Sequence, residues 1–216
     1  MFSAPWITGA DLPDGTLVLT YDDGPGPNTL PIAEYLHAQG IAATFFVIGI
    51  QAYQQPAVLI RVRGLGHRLG NHTWTHPILP TRLTEGADII DEVRRTAGLL
   101  GRGPIAFRPP YAEWTPAVAE ALNADAALRD AHVGPVGWTV EGRDWEAWRD
   151  GHSPREVAMR YLAEIRAKRQ GIVLLHDSSA DGPAAVVKNR TYDLTRLLVP
   201  ALRADGFTFG SLDAIC

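Results

Sequence analysis

The segment LVLTYDDGP, residues 17–25, decides the fold of this 216-residue chain. Residues 17–21 form a short apolar run between an Asp-Gly pair and a Gly-Pro pair, a pattern typical of a buried strand. Two aspartates, Asp22 and Asp23, stand where this run ends. Because adjacent carboxylates repel each other, we predict that other charged groups reach this strand end and compensate them.

The sequence around this segment alternates predicted strands with predicted helices. Uninterrupted apolar strands joined by helices are typical of a parallel sheet that is buried on both faces. An open doubly wound sheet and a closed barrel both fit, and neither a GxGxxG motif after the first strand nor a P-loop supports nucleotide binding. The strands are predicted at residues 17–21, 41–48, 67–70, 105–107, 133–140, 172–175 and 207–209, and the helices at residues 31–39, 56–63, 84–100, from 115 onward, 153–169 and 191–204.

Composition and charge narrow the classes of function. The chain is 46% hydrophobic and 20% charged, as ordinary globular proteins are, and its formal net charge of −4 argues against a nucleic-acid partner. No apolar run approaches the roughly 18 residues of a membrane span, and the N-terminus lacks the basic and apolar regions of a signal peptide. Cys216 is the only cysteine, so no intrachain disulfide can form. We expect a monomer, whose location stays open between the cytoplasm and a mature or excised domain of an exported protein.

Five groups of polar residues follow five of the predicted strands. In both candidate architectures, functional groups collect at the carboxyl ends of the strands. Five such groups on one rim indicate a single site assembled from five loops. In chain order they are Asp22 with Asp23, His72 with His76, Arg108 to Tyr111, Glu141 with Asp144 and Trp145, and His176 with Asp177.

The GNHTWTH segment suggests a metal site. His72 and His76 are four residues apart, so on a helical turn they would share one face and could bind one ion, although two surface histidines would give the same spacing. Asp23 offers a carboxylate from a neighbouring strand end, and three protein ligands leave other positions open for water and substrate. Non-haem iron oxygenases use the same ligand set. The second carboxylate, Asp22, favours a hydrolase, because a hydrolase needs a free base beside the metal.

The FRPPY segment holds Arg108 and Tyr111 on either side of two prolines, which fix the direction of the backbone. We predict that Arg108 pairs with an aspartate and keeps it ionised. A fixed backbone N–H at Tyr111 could stabilise an oxyanion. A rigid loop with a surface arginine is the alternative interpretation.

Two later segments, GWTVEGRDWEAW and IVLLHD, add aromatic and titratable groups. Trp138 lies inside an extended apolar stretch and is predicted to be buried in the core, whereas Trp145 lies among charges and is predicted to form a partly exposed wall. His176 ends a buried strand. With Asp144 nearby its pKa would rise, so that it could act as a general acid near neutral pH, although a purely structural histidine is the alternative.

The motifs YDDGP, HTWTH, RPPY, EGRDW and LLHD occur in the order and with the rough spacing of the five motifs of NodB-type polysaccharide deacetylases, carbohydrate esterase family 4. The chain resembles this family from about Thr20 to His176 and in its last helix and strand. The resemblance implies an α/β fold, a distorted (β/α) barrel of about seven parallel strands, and one catalytic domain over residues 1–216. It also implies a hydrolase of linear amides with a divalent metal, Zn²⁺ in the first place and Co²⁺ or another divalent ion as alternatives.

The resemblance also implies a role for each matching residue. The implied catalytic positions are Asp22 as general base, Arg108 as the residue that orients it, Tyr111 as an oxyanion donor through its backbone N–H, Asp144 as the residue that tunes the acid, and His176 as general acid. The implied metal ligands are Asp23, His72 and His76, and the implied substrate-binding positions are Pro110, Tyr111, Trp145 and Leu174.

Three residues give this chain a local pattern of its own. Glu141 stands where the family usually has aspartate, and we expect this change to be tolerated because it lies away from the reacting groups. Ala112 follows RPPY where glycine is common, and Trp114 comes soon after. We expect both to alter the groove on that side.

The resemblance implies removal of N-acetyl groups, with release of acetate, from a chitin-like or peptidoglycan-like amino-sugar polymer or oligosaccharide. One alternative is the same machinery acting on O-acetyl esters of xylan or on a non-sugar amide. A second alternative is a non-catalytic sugar-binding module, for which the loss of a ligand or base would be the usual hallmark. No such loss is visible in the sequence.

Overall fold

The structure, a computed structural model, describes residues 1–101 and 103–214, so that Cys216 lies outside the described residues. Within this range there are nine strands: β1 (Phe2–Ile7), β2 (Thr16–Gly24), β3 (Thr44–Val47), β4 (Arg68–Asn71), β5 (Ile105–Ala106), β6 (His132–Val136), β7 (Val140–Glu141), β8 (Gly171–His176) and β9 (Thr208–Gly210). They form two sheets in which every pair is parallel. The larger sheet has the order β4-β3-β2-β8-β7, with β9 paired to the start of β2, and the smaller has the order β1-β6-β5.

Helices connect most of the strands. The described residues contain eleven α-helices and two short 3₁₀ helices, the latter at Pro110–Ala112 and Leu212–Ala214. The α-helices are α1 (Thr29–Ala38), α2 (Gly49–Gln54), α3 (Pro56–Gly64), α4 (Leu79–Thr84), α5 (Ile89–Leu100), α6 (Pro116–Asn123), α7 (Ala126–Ala131), α8 (Asp144–Arg149), α9 (Pro154–Lys168), α10 (Pro183–Lys188) and α11 (Thr191–Ala204).

Strand β2 is the centre of the larger sheet and is buried along nearly its whole length. One edge of β2 pairs with β8, which sets Asp22 opposite His176. The other edge pairs first with β9 and then with β3, which sets Asp22 opposite Phe46. The carboxylates that end this strand are therefore enclosed between two neighbouring strand ends.

Alternation along β2 divides the core in two. Leu17, Leu19 and Tyr21 pack towards the helices, in the main core cluster with residues of α1, α9 and α11. Val18 points to the opposite face, where it packs with Phe46. Because side chains alternate along a strand, the position of Asp22 belongs to this second, inner face. Among the helices of the described residues, none combines the length and apolar composition that crossing a lipid bilayer requires.

Backbone hydrogen bonds join the two sheets on both sides. Asn71, the last residue of β4, forms a parallel bridge with Phe107 just beyond β5, and the Arg108 N–H donates to the Asn71 carbonyl at 3.1 Å. On the other side, the Ile172 N–H of β8 donates to the carbonyl of Thr8, just beyond β1, at 3.1 Å. The two sheets are thus hydrogen-bonded to each other along two edges.

The predicted α/β class with parallel strands is confirmed. Every predicted strand is present, although residues 133–140 divide into β6 and β7 at Gly137, where the chain passes from one sheet to the other. Strand β1 was not predicted, because Pro5 interrupts its pattern, and proline is tolerated at the edge of a sheet, where β1 lies. The described strands form two linked sheets and do not show the closed barrel of about seven strands implied by the resemblance.

The helix predicted at residues 84–100 begins later than predicted, because α5 starts at Ile89 and Thr84 belongs to the separate helix α4. Thr84 ends α4, where its hydroxyl donates to the Pro80 carbonyl at 2.7 Å, and Gly86 follows with φ of +75°. The cap of α5 is Asp88, whose side chain accepts from two backbone N–H groups of the first turn. The predicted start at Ser153 is confirmed by a complete capping box with Glu156.

Candidate active site

A cavity of about 340 Å³, here called the main cavity, opens at the rim where the strand ends meet. Each of the five polar groups predicted from the sequence contributes at least one residue to its wall. The expectation of a single site assembled from five loops is therefore met in the structure.

Asp22 and Asp23 both reach the main cavity, although successive residues on a strand normally point to opposite faces. Asp23 adopts φ of +71°, a left-handed conformation that is uncommon outside glycine. This conformation breaks the alternation and turns the second carboxylate towards the first. The next residue must be small, because a Cβ added at Gly24 would lie 2.4 Å from Oδ2 of Asp177.

Asp23, His72 and His76 bring three potential ligand atoms together. Oδ1 of Asp23 lies 3.5 Å from Nε2 of His72 and 3.2 Å from Nε2 of His76. Each of the three residues offers one atom, and these atoms all lie within 4.8 Å of one another. Two imidazoles and a carboxylate make up the donor set of many catalytic zinc sites and of non-haem iron sites.

The two histidines are not on a helical turn, so this part of the sequence prediction is wrong. Residues 72–76 form an irregular bend in which Thr73 and His76 have φ of +67° and +61°. The bend is fixed by the Thr73 N–H, which donates to Oδ1 of Asn71, and by the His76 N–H, which donates to Oγ1 of Thr73. These local hydrogen bonds bring the two imidazoles together without a helix.

The surroundings of this triad fit a bound divalent cation. Nδ1 of His72 lies 2.7 Å from the Arg108 carbonyl oxygen, which can only accept, so Nδ1 carries a proton and the neutral ring presents the lone pair of Nε2 to the site. Oδ1 of Asp23 is buried and has no hydrogen-bond partner among the described residues. A buried carboxylate oxygen that lacks a donor and faces two imidazole nitrogens is the arrangement that a cation completes.

The titration of two of these groups, Asp23 and His76, also suits metal binding. Burial acts against ionisation of Asp23, but the imidazoles of His72 and His76 outweigh it and hold the pKa of Asp23 well below its usual range. Burial, together with the neighbouring His72, lowers the pKa of His76 to about 4. Asp22 and Asp23 raise the pKa of His72 in spite of its burial. At neutral pH the carboxylate of Asp23 is ionised and His76 is neutral, which are the forms that bind metals.

Arg108 is completely buried behind Asp22 and is held on every side. Nη1 donates to Oδ1 of Asp22 at 2.7 Å and to Oγ1 of Thr20 at 2.9 Å. Nε and Nη2 donate to the carbonyls of Val136 and Gly137 at 3.1 and 3.0 Å. Burial lowers the pKa of the guanidinium, while the charge of Asp22 opposes this change. The ion pair predicted from the FRPPY segment is thus present and rigid.

His176 and Asp144 form a second imidazole–carboxylate pair across the main cavity. Nδ1 of His176 lies 2.7 Å from Oδ1 of Asp144, and the His176 backbone N–H donates to Oδ2 at 2.9 Å. The buried Asp144 also accepts a hydrogen bond from the Thr191 hydroxyl at 3.0 Å. Burial disfavours the charged imidazole, but Asp144 outweighs it and raises the pKa of His176 to about 10. His176 is therefore protonated at neutral pH.

The predicted substrate-binding positions lie around the mouth, with one shift. Leu174 and the half-buried Trp145 line the main cavity. Tyr111 also lines it and remains 57% exposed. Pro109, rather than the predicted Pro110, contacts the cavity, while Pro110 is buried.

Trp138 and Glu141 lie elsewhere than expected. Trp138 is half-buried on the cavity wall rather than in the core, because the chain leaves β6 at Gly137 and turns towards the rim. Its Nε1 donates to Oε2 of Glu141 at 3.2 Å. Glu141 itself lines the cavity, so the expectation that it lies away from the reacting groups is wrong.

Two contributions were not predicted from the sequence. Thr191 reaches Asp144 from the first turn of α11, a contact that depends only on tertiary packing. The loop after LLHD supplies Ser179, Ala180 and Asp181 to the wall, and the Ala180 N–H donates to Oδ2 of Asp23 at 3.2 Å. The signal for this loop was the stretch SSADG, whose residues favour turns at a strand end.

Comparisons with known proteins identify the family to which this chain belongs. A profile of the polysaccharide deacetylase family matches residues 9–127, more than half of the chain. The chitooligosaccharide deacetylase of Azorhizobium caulinodans is 34% identical over 206 residues, which cover 91% of this chain and 92% of that protein.

Solved structures give the same result. The Bc1960 peptidoglycan N-acetylglucosamine deacetylase is 25% identical, with a TM-score of 0.76 over 97% of this chain and 91% of its own. A family 4 carbohydrate esterase from Streptomyces lividans, solved in complex with acetate, is 27% identical, with a TM-score of 0.69 over 92% and 93% of the two chains. The chain belongs to the polysaccharide deacetylase family.

Proposed function

We propose that this protein is a metal-dependent deacetylase that removes N-acetyl groups from an amino-sugar oligosaccharide or polymer and releases acetate. The observation that carries this proposal is that one cavity holds both an arginine-paired carboxylate, Asp22, and a protonated imidazole, His176. Amide hydrolysis needs a base for water and an acid for the leaving amine. The potential metal ligands line the same cavity.

We propose that Asp23, His72 and His76 hold the metal, with Zn²⁺ as the first expectation and Co²⁺ as an alternative. A bound divalent cation would supply Lewis-acid chemistry towards the acetyl carbonyl and the attacking water. His72 is kept in the ligating tautomer by the Arg108 carbonyl, so the same residue supports the metal site and the base. A free carboxylate beside the ligands supports hydrolysis over oxygenase chemistry.

Asp22 is the proposed general base. Its Oδ1 forms an ion pair with Arg108. Its Oδ2 lies 3.7 Å from Nε2 of His72, so this second oxygen faces the potential metal ligands. Arg108 holds the Asp22 carboxylate through a charge-assisted hydrogen bond and prevents it from rotating. In the proposed reaction Asp22 accepts a proton from water as the water oxygen forms a bond with the acetyl carbon.

The backbone N–H of Tyr111 is the proposed donor to the oxyanion that results. His176 then donates its proton to the nitrogen of the substrate as the carbon–nitrogen bond breaks. The products are acetate and a free amine on the sugar. Asp144 stabilises the imidazolium before this transfer, and Leu174 supplies an apolar surface for the acetyl methyl group.

We infer that residues 1–216 act as one catalytic domain, since the chain and its chitooligosaccharide deacetylase relative cover each other almost completely. The same relative supports N-acetylglucosamine oligomers as the substrate class. The peptidoglycan deacetylase structure supports the wider class of N-acetylated glycans. Acetylated xylan and non-sugar amides are the substrates to test against these.

Acetate release tests the proposal directly. Metal-free protein is given Zn²⁺ or Co²⁺ and is then offered N-acetylglucosamine oligomers, peptidoglycan fragments and acetylated xylan. We expect acetate from the first two, none after chelation, and a loss of about 10³-fold in Asp22→Asn with zinc still bound. Acetate from xylan alone would favour the esterase alternative. Oligomer binding without acetate release in any metal would favour a sugar-binding module.

A further inference from the structure

A second, smaller pocket of about 150 Å³ adjoins the main cavity on the side of β1 and is called here the tryptophan pocket. It is lined by Trp6, Thr8, Ala112, Gly137 and Trp138. Ala112 and Trp138 also line the main cavity. The two depressions therefore lie side by side and share these two residues as a common wall.

The backbone brings Trp6 to this rim. Strand β1 runs parallel to β6, with Ile7 opposite Val136, and the Gly137 N–H donates to the Ile7 carbonyl at 2.8 Å. Parallel strands end at the same edge of a sheet. The end of β1 therefore lies beside the residues that leave β6, and these include Trp138.

The absence of a side chain at Gly137 gives Trp6 its position. A Cβ added at Gly137 would lie 3.0 Å from Cε3 of Trp6 and 3.5 Å from Cγ2 of Thr8. The indole of Trp6 thus packs against bare backbone next to Trp138. Trp138 is held in turn by its hydrogen bond to Glu141. Both indoles are half-buried, so each keeps part of its surface open to the pocket.

The chemistry of the tryptophan pocket differs from that of the main cavity. None of its five lining residues is charged, whereas the main cavity holds Asp22, Asp23 and three histidines. Indoles offer large, rigid apolar faces. A pyranose ring has an apolar C–H face that packs on an indole, while its equatorial hydroxyl groups stay at the edge in water. Such a pocket suits a sugar ring that binds and does not react.

We propose that the tryptophan pocket binds the sugar ring next to the one whose N-acetyl group enters the main cavity. This inference rests on the proposed function and adds a specificity-determining residue, Trp6, outside the five sequence motifs. The position of the pocket directly beside the main cavity, with Trp138 and Ala112 common to both, selects a neighbouring ring of the same glycan as the occupant. The enzyme should therefore favour longer oligomers over the shortest ones.

A chain-length series tests this inference. Acetate release is measured on N-acetylglucosamine oligomers from the shortest one that is turned over to the hexamer. We expect Trp6→Ala to lower kcat/KM for the hexamer about 10-fold more than for the shortest oligomer, mainly through KM. Trp6→Phe should recover most of this difference. Tyr53→Ala is the matched control, because Tyr53 is an aromatic residue, 66% exposed, that lines neither pocket.

Equal losses of kcat/KM on all chain lengths would mean that Trp6 only supports the fold. An undiminished rate on the hexamer would mean that the pocket is not used. Either result overturns the inference. Calorimetric binding of the hexamer to the zinc-loaded Asp22→Asn protein, with and without Trp6→Ala, separates this inference from the proposed function. Binding that weakens about 10-fold supports the pocket even if the wild-type protein releases no acetate. Unchanged binding overturns the inference.

Discussion

Two imidazole–carboxylate groups face each other across the main cavity, and their surroundings give them opposite properties. In the first, Nδ1 of His72 bonds to a backbone carbonyl, and Nε2 faces Asp23. In the second, Nδ1 of His176 bonds directly to the carboxylate of Asp144. A carbonyl partner fixes the tautomer without adding a charge, whereas a carboxylate partner also stabilises the imidazolium. The same two residue types therefore suit metal binding on one side and proton donation on the other.

Removing the charge from the second pair should have the largest effect. In Asp144→Asn the pKa of His176 should fall from about 10 towards the ordinary value near 6.5. The acid form of His176 would then be lost at lower pH, so the alkaline limb of the rate profile should move to lower pH and kcat/KM at pH 8 should fall by about 30-fold, the ratio of protonated imidazole in the two proteins. Steady-state acetate release across pH 5–10 measures this change.

Zinc content is the control for this variant, since Asp144 is not among the residues that converge on the metal site. We expect Asp144→Asn to bind as much zinc as the wild-type protein. An alkaline limb that stays in place would contradict the assignment of His176 as the acid that Asp144 tunes.

Loss of the Thr191 hydroxyl should have an intermediate effect. It donates to Asp144 at 3.0 Å and accepts from Nε1 of Trp148 at 3.0 Å. Thr191→Val keeps the shape but leaves both partners short of a hydrogen bond, so we expect a loss of about 2 kcal/mol in the free energy of unfolding and roughly 10-fold in kcat/KM. Thr191→Ser, which retains the hydroxyl, is the control. A stability loss with an unchanged pH profile would assign Thr191 to the fold alone.

The smallest predicted effect concerns a buried carboxylate that has no positive partner. Asp22 has Arg108 and Asp144 has His176, whereas Oδ1 of Asp177 lacks any hydrogen-bond partner among the described residues. Burial raises the pKa of Asp177 to about 7. A carboxyl whose pKa is higher in the folded state stabilises the fold at low pH, and this contribution decreases as the pH rises from about 4 to 7.

Asp177→Asn removes this pH dependence. At pH 8 we expect the free energy of unfolding of the variant to exceed that of the wild-type protein by about 1 kcal/mol, so that the variant unfolds at a higher temperature. At pH 5 this difference should disappear. Thermal unfolding of metal-free protein at both pH values provides the measurement. An equal shift at the two pH values would show that packing, not ionisation, separates the two proteins.

The sequence predicted the elements better than their limits. Apolar runs predicted each strand except β1, whose proline conceals it, and the five polar groups predicted one rim. The helix at Ile89–Leu100 was predicted to begin at residue 84, because local spacing does not reveal a capping contact such as that of Asp88, and the separate helix at Leu79–Thr84 was not predicted.

The sequence predicted those features of the site that depend on residue type. It did not predict the features that depend on backbone conformation. The convergence of Asp23 with His72 and His76 followed from the strand ends, but the bend that unites the histidines needs positive φ at Thr73 and His76. Ala112 shares this property, with φ of +56°, which gives a physical reason why glycine is common there. The exposure of Trp138 depends on Gly137 and the change of sheet, which no local pattern encodes.

The central claim is that the two imidazole–carboxylate groups divide the work, one holding a metal and the other donating a proton. The most direct test of this claim is the zinc content of His72→Ala and His176→Ala. Both variants are dialysed and measured side by side by elemental analysis. We predict one equivalent of zinc in the wild-type protein and in His176→Ala, and close to none in His72→Ala. Loss of zinc in His176→Ala, or full retention in His72→Ala, would contradict the claim.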